Sequence, residues 1–255
     1  MNLILTFLIT LIISINAYGI DTKAEQAVVV DFDTNEILFE KNANQPIYPA
    51  SLTKIMTVYV AFDRLKQTDL SIEDTCIISA KAYKMGGSRT FLEIDDKVSI
   101  DKLLKGIIIQ SGNDASIALA ECLSGTEIDF ANLMNVYSNN LGMKSTNFIN
   151  SSGWPDENHF STVKDLAILS NALIRDFPLL YEYFKLKEFR YNEINQPNRN
   201  KLLSNFQGSD GLKTGYTKKS GWGISGSAKI NKRRITVVIN GTNSSRSRLN
   251  EASNL

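Results

Sequence analysis

Three short stretches of the sequence carry residue types that suit nucleophilic catalysis. The first is Ser51-Leu52-Thr53-Lys54, a hydroxyl and an amine three positions apart. Residues i and i+3 share one helix face, so the Ser51 hydroxyl and the Lys54 amine can meet there. A lysine that is partly desolvated and near the positive end of a helix has its pKa lowered. Its neutral amine can take the proton of a serine nucleophile, and N–H groups at the helix start can receive an oxyanion. The same spacing recurs at Ser99–Lys102 and Ser161–Lys164, so spacing alone selects none of the three. Ser99 and Lys102 stand beside Asp95, Asp96 and Asp101, an acidic surface. Ser161 or Thr162 fits a helix cap, with Asp165 in the first turn. Only Ser51 is led by Tyr48-Pro49-Ala50 into a largely apolar helix.

The second stretch, Ser111-Gly112-Asn113, lies between two apolar helical runs, where a tight loop can aim a hydroxyl and an amide into a cleft. A helix C-cap glycine followed by an N-cap residue explains the same letters. The third, Lys213-Thr214-Gly215, falls in a β-rich run. There a cation and a hydroxyl can hold a carboxylate while glycine admits a close backbone approach; a polar edge strand is the alternative. Ser138-Asn139-Asn140, Ser145-Thr146-Asn147 and Lys219-Ser220-Gly221 are decoys for these two patterns. The ordered set of three, rather than any one member, carries the functional reading.

These residues need elements to position them. Ala27–Val30 and Ile37–Phe39 read as two strands around the turn residues Asp33-Thr34-Asn35. Leu52, Ile55, Met56, Tyr59 and Phe62 recur at helical steps from Ser51 to Leu65. Further helices are expected over Ile100–Ile109, Asn113–Cys122, Ile128–Leu141 and Ser161–Ile174. The runs DGLKTGYT, GWGISGSAKI and RRITVVINGT return to strand character as an antiparallel meander. Two strands, a helical middle and three strands form one α+β domain most simply if both chain ends join one antiparallel sheet. Clefts are then expected where helices meet the sheet edge.

Composition sets the outer limits. The 255 residues have 43% apolar and 22% charged side chains and a net charge of +1, which suits a globular domain and gives no electrostatic case for nucleic acid. Leu3 to Ile15 is an apolar and hydroxyl run, shorter than the roughly 20 residues of a spanning helix. With Ala17 and Gly19 behind it, residues 1–19 read as an export signal, although no Lys or Arg precedes the run. Export permits a disulfide between Cys76 and Cys122, which otherwise read as small buried side chains. With His159 the one histidine and no C-x-x-C, no metal site and no cofactor are expected.

The blocks PASLTKIMT, GGSRTFLE, SGNDASIALAE, GMKSTNF, HFSTVKDLAIL and DGLKTGYT occur in that order. Together they resemble the serine D-alanyl-D-alanine carboxypeptidases, low-molecular-weight penicillin-binding proteins of peptidase family S11, over residues 24–255. The resemblance implies the DD-peptidase/β-lactamase-like fold, a five-stranded antiparallel sheet flanked by helices, over residues 20–255. It implies an exported enzyme of the periplasm or cell envelope whose partners are stem peptides ending in D-Ala-D-Ala and β-lactam antibiotics. Ser51 would be acylated, Lys54 would be the base and Ser111 would relay a proton to the leaving amine. Asn113 would bind the substrate amide, Lys213, Thr214 and Gly215 the substrate's carboxylate end, and the N–H groups of Ser51 and Tyr216 the oxyanion.

Such enzymes continue through a C-terminal helix on the sheet, a β-rich domain and a membrane anchor. None of these is read in the final RSRLNEASNL, so one sheet face is expected to be uncovered and no anchor is expected in this chain. Rival readings are a non-catalytic wall- or drug-binding module, a β-lactamase using Glu157, and a Ser-His-Asp hydrolase using His159. Glu157 lacks an E-x-x-L-N context and reads as a solvated loop residue, and no G-x-S-x-G elbow accompanies His159, which reads as bonded within its loop. Arg248 can approach a substrate carboxylate, but reads as a surface arginine.

Overall fold

The computed structural model describes residues 20–255, and the export signal read over residues 1–19 lies outside them. Strands β1 (Gln26–Asp31) and β2 (Ile37–Lys41) lead through a 3-10 turn at Ala50–Thr53 into helix α1 (Lys54–Gln67). The helical middle contains α2 (Ala80–Lys84), α3 (Ile100–Lys105), α4 (Asn113–Ser124), α5 (Glu127–Asn140) and α6 (Val163–Asp176). Two small hairpins escaped the sequence reading: β3 (Thr75–Ile77) with β4 (Lys97–Ser99), and β5 (Glu188–Tyr191) with β6 (Ile194–Pro197). Their strands are three or four residues long, too short for a period to register. After the short α7 (Leu202–Asn205) come β7 (Ser209–Thr217), β8 (Gly221–Ile230), β9 (Arg233–Thr242) and α8 (Ser245–Asn254).

The five long strands form one antiparallel sheet in the order β2-β1-β9-β8-β7, which joins the two ends of the chain as expected. All of β1 is buried because the sheet is covered on both faces. Successive side chains point to opposite faces: Val28 and Val30 enter the main core with α1 and α6, while Ala27 and Val29 enter a second core with Ile224, Val237 and Ile239. An unbroken apolar run is what such a doubly covered strand needs. α1 is buried along its first nine residues, Lys54 to Phe62, and forms the centre of the helical half.

The second core corrects the expectation of an uncovered face. The final residues form α8, which lays Leu249, Ala252 and Leu255 over the sheet. Ser244 starts this helix by accepting the Ser247 N–H at 3.0 Å. Glu251 on the same helix accepts from the Thr22 hydroxyl (2.8 Å) and the Lys23 N–H (2.9 Å), tying the start of the described chain to its end. Cys76 and Cys122 are joined as a disulfide between β3 and α4.

The two decoy Ser-x-x-Lys pairs are helix starts. Ser99 caps α3 by accepting the Lys102 N–H (3.4 Å). Thr162, not Ser161, caps α6 by accepting the Asp165 N–H (3.0 Å), and the Ser161 hydroxyl is bonded to Thr146.

Candidate active site

Ser51 lies in the 3-10 turn and Lys54 at the first residue of α1, so one turn of chain separates hydroxyl and amine. Lys54 has no solvent exposure, and its Nζ has three partners. It lies 2.6 Å from the Ser152 carbonyl, 2.7 Å from Asn113 Oδ1 and 3.2 Å from Ser51 Oγ. The two shorter contacts are to oxygens that can only accept, whereas a serine hydroxyl can donate or accept. A neutral amine fills these positions with two N–H groups and turns its lone pair to Ser51. Burial lowers the Lys54 pKa to about 7, partly opposed by the Asp114 charge, with Arg199 lowering it further. A general base poised near neutrality follows from that burial.

Ser152 reaches Lys54 because its loop is pressed against the start of α1. Gly153 has φ +77° and sits where a Cβ would collide with the Ala50 carbonyl. Ser151 is fixed on both sides: its N–H and hydroxyl bond Glu127 Oε1, and its carbonyl accepts from Thr57 Oγ1.

The second motif stands at a break in helix geometry. α3 passes into a π-helical turn at Gly106–Gln110, and the chain then turns through Ser111 at φ 67°, a left-handed conformation uncommon for serine. The Ser111 hydroxyl is buried, lines the cleft and has no partner among the described residues. Leaving it so costs about 1–3 kcal/mol, an arrangement that a bound substrate can relieve. Asn113 accepts from Lys54 and donates to the Gly86 carbonyl at 2.9 Å, leaving one N–H and one lone pair for a ligand. The neighbouring Asp114 is fully buried and receives the N–H groups of Thr90, Phe91 and Leu92. It thereby holds the segment whose Gly86 and Ser88 carbonyls bond Asn113.

Thr214, Gly215, Tyr216 and Thr217 on the edge strand β7 form the opposite wall. Gly215 differs in role from expectation: a Cβ there would lie 3.1 Å from the Pro49 carbonyl and 3.2 Å from Leu52 Cγ. Its missing side chain lets the Ser51 turn approach the strand. Lys213 is buried behind this wall, with its Nζ 3.2 Å from the Thr214 carbonyl. Burial holds its pKa well below the ordinary lysine value, helped by the charges of Lys54, Arg199 and Arg248. The cleft between the walls measures about 740 Å³ and holds Ser51, Ser111, Asn113, Thr214, Gly215 and Tyr216 together.

Arg248 is not on the surface. α8 carries it into this cleft, 5% exposed, with its guanidinium 5.3 Å from the Trp222 ring centroid and 3.5 Å from the Gly215 carbonyl. Burial, and then Arg199, lower its pKa to about 10. The missed signal was the three-residue step Leu249–Ala252–Leu255, which marks an apolar helix face next to Arg248. Arg199 and Lys201 also line the cleft and were not singled out; they lie in a connection without periodic pattern.

His159 serves the scaffold. Its Nδ1 accepts the Ile149 N–H (3.2 Å), so Nε2 carries the proton and donates to Thr53 Oγ1 (2.9 Å). With both nitrogens engaged it is not a base for Ser51; burial lowers its pKa to about 4. Glu157 is exposed and lines a smaller neighbouring pocket rather than the Ser51 cleft.

A model of the family described as Peptidase_S11, D-alanyl-D-alanine carboxypeptidase, matches residues 14–243. The chain is 40% identical over 249 residues to D-alanyl-D-alanine carboxypeptidase DacC of Escherichia coli, covering 95% of this chain and 62% of that protein. It superimposes on the crystal structure of the D-alanyl-D-alanine carboxypeptidase DacD from Francisella tularensis with a TM-score of 0.90 at 32% identity, covering 92% of this chain and 69% of that one. The ampicillin-bound penicillin-binding protein D2 of Listeria monocytogenes is similar at a TM-score of 0.85 and 27% identity, covering 93% and 97%. The chain spans about three fifths of the length of the curated relatives it matches, 62% and 59% for the first two.

Proposed function

The chain belongs to the D-alanyl-D-alanine carboxypeptidase family, and from that premise we propose that it is a serine DD-carboxypeptidase that trims peptidoglycan stem peptides. Ser51 Oγ attacks the carbonyl carbon of the D-Ala-D-Ala bond, and its proton passes to the neutral Lys54 amine. The tetrahedral oxyanion is received by the N–H groups of Ser51 and Tyr216. Collapse expels the terminal D-alanine, whose amine takes a proton relayed through Ser111, leaving an ester on Ser51. Water hydrolyses that ester, with Lys54 again as base. Asn113 contacts the substrate amide, and the Thr214 hydroxyl and the Arg248 guanidinium receive the terminal carboxylate, with Lys213 behind Thr214 within the same wall.

The observation that carries this reading is the Lys54 amine, buried, held by two obligate acceptors and 3.2 Å from Ser51 Oγ. Penicillins present a carboxylate beside a reactive carbonyl and would acylate the same serine. Export to the periplasm or cell envelope belongs to the same proposal. It is supported by the apolar run of residues 3–15 and by the Cys76–Cys122 bond, since disulfides persist in oxidising compartments.

The test combines fluorescent-penicillin labelling with D-alanine release from a synthetic peptide ending in D-Ala-D-Ala. Wild-type protein is expected to do both and Ser51→Ala neither. Labelling of Ser51→Ala at the wild-type level would overturn the mechanism, and labelling of wild type without D-alanine release would favour a binding module.

A further inference from the structure

A buried carboxylate outside the cleft is linked to the Lys54 amine through two residues of chain. Glu127 is the first residue of α5 and 8% exposed, and it does not line the cleft. Its two oxygens are divided between two partners. Oε2 lies 2.7 Å from Lys81 Nζ on α2, and Oε1 accepts both the N–H (3.1 Å) and the hydroxyl (2.8 Å) of Ser151. Ser151 is thereby clamped between α5 and α1, whose Thr57 hydroxyl donates to the Ser151 carbonyl. The next carbonyl along the chain, that of Ser152, is the one 2.6 Å from Lys54 Nζ. A neutral amide oxygen can satisfy the two Ser151 donors. A buried carboxylate also needs a cation to offset its lost hydration, and here Lys81 supplies it. Holding the loop therefore explains the acceptor but not its charge.

We infer that Glu127 is a positioning residue for the catalytic amine: through Ser151 it fixes the Ser152 carbonyl against Lys54, and its negative charge bears on the same amine. The inference rests on the carboxypeptidase reading in taking Lys54 as the base for Ser51. A carboxylate near an amine favours the ammonium form. Glu127 therefore opposes the burial that lowers the Lys54 pKa, as Asp114 on α4 does, while Arg199 adds to the lowering. Lys213 on β7 and His159 in the connection before α6 are the other titratable groups that face Lys54. Lys81 and His159 face Glu127. Removing the Glu127 charge alone leaves all of these in place, so the Lys54 amine should lose its proton at lower pH.

The test compares Glu127→Gln and Glu127→Ala with wild type by two measurements. One is the NMR titration of the Lys54 ε-methylene, and the other is the second-order rate of penicillin acylation of Ser51 as a function of pH. Glutamine keeps an acceptor for Ser151 and removes the charge. Its Lys54 midpoint is expected to fall by roughly half a unit, less than the about one to three units of a charge in direct contact. On the acid side of the wild-type midpoint this variant should then acylate faster than wild type. Alanine removes anchor and charge together. Its plateau rate should fall about tenfold as the Ser152 carbonyl leaves the amine, and glutamine should restore most of that loss. An unchanged Lys54 midpoint in Glu127→Gln overturns the inference, as does a folded Glu127→Ala with the wild-type plateau. If Glu127→Ala does not fold, the glutamine midpoint decides alone. A midpoint that moves in the NMR titration but not in the acylation profile supports the link from Glu127 to Lys54 and refutes Lys54 as the base, so the two failures are distinct.

Discussion

Ser111 pairs an uncommon backbone conformation with a buried hydroxyl that has no partner among the described residues. That hydroxyl bonds nothing in the described scaffold, so its removal separates structure from function. Ser111→Ala is expected to leave the melting temperature unchanged or slightly raised, since an unsatisfied polar group worth about 1 kcal/mol disappears. Its D-alanine release should fall about 10²-fold or more, the scale of a lost proton relay. A large stability loss with normal turnover would reverse that assignment. At this scale the sequence was most legible, because Ser51, Lys54, Ser111 and Asn113 are side-chain letters in short patterns. The Ser152 carbonyl that grips Lys54 was not, because it is a backbone atom 98 residues away. Any residue type could have supplied it.

Among the elements, the loop at 151–154 and helix α8 bring distant groups to the Ser51 turn. Gly153→Ala would place a side chain against the Ala50 carbonyl at a positive φ. Backbone strain of about 1–3 kcal/mol and overpacking of similar size should lower the melting temperature. Because Ser152 would shift off Lys54, penicillin acylation should slow as well; calorimetry and labelling kinetics check both. α8 does two separable jobs. Ala252→Asp buries an unpaired charge in the second core and is expected to destabilise the protein by roughly 3 kcal/mol. Arg248→Gln should instead raise the KM for the peptide about tenfold, as expected for loss of a charged hydrogen bond worth about 1.5–3 kcal/mol. α1, α4 and the β7–β9 meander were legible because each carries a dense apolar run that it buries. α8 was hidden by its polar composition, with its apolar face reduced to one small and two large residues.

For the whole molecule, the sheet separates two cores, and the main one is braced by the Cys76–Cys122 link across 46 residues of chain. Closing a loop of that length contributes about 2–4 kcal/mol, chiefly by restricting the unfolded chain. Reduction should therefore lower the urea midpoint while the native protein still labels with penicillin, since neither cysteine lines the cleft. The order of strands, helices and strands already implied one sheet built from both chain ends. The order β2-β1-β9-β8-β7 and the covering of the second face depend on long-range packing that no local period records.

In the proposed mechanism Ser51 is activated by a Lys54 amine that burial has made a base near neutrality. The direct measurement is the second-order rate of penicillin acylation of the wild-type protein as a function of pH. As pH rises through about 7 Lys54 loses its proton, so the rate should climb with a midpoint there and then level. A profile flat across that range, or one that rises only near the ordinary lysine value of 10.5, would contradict it.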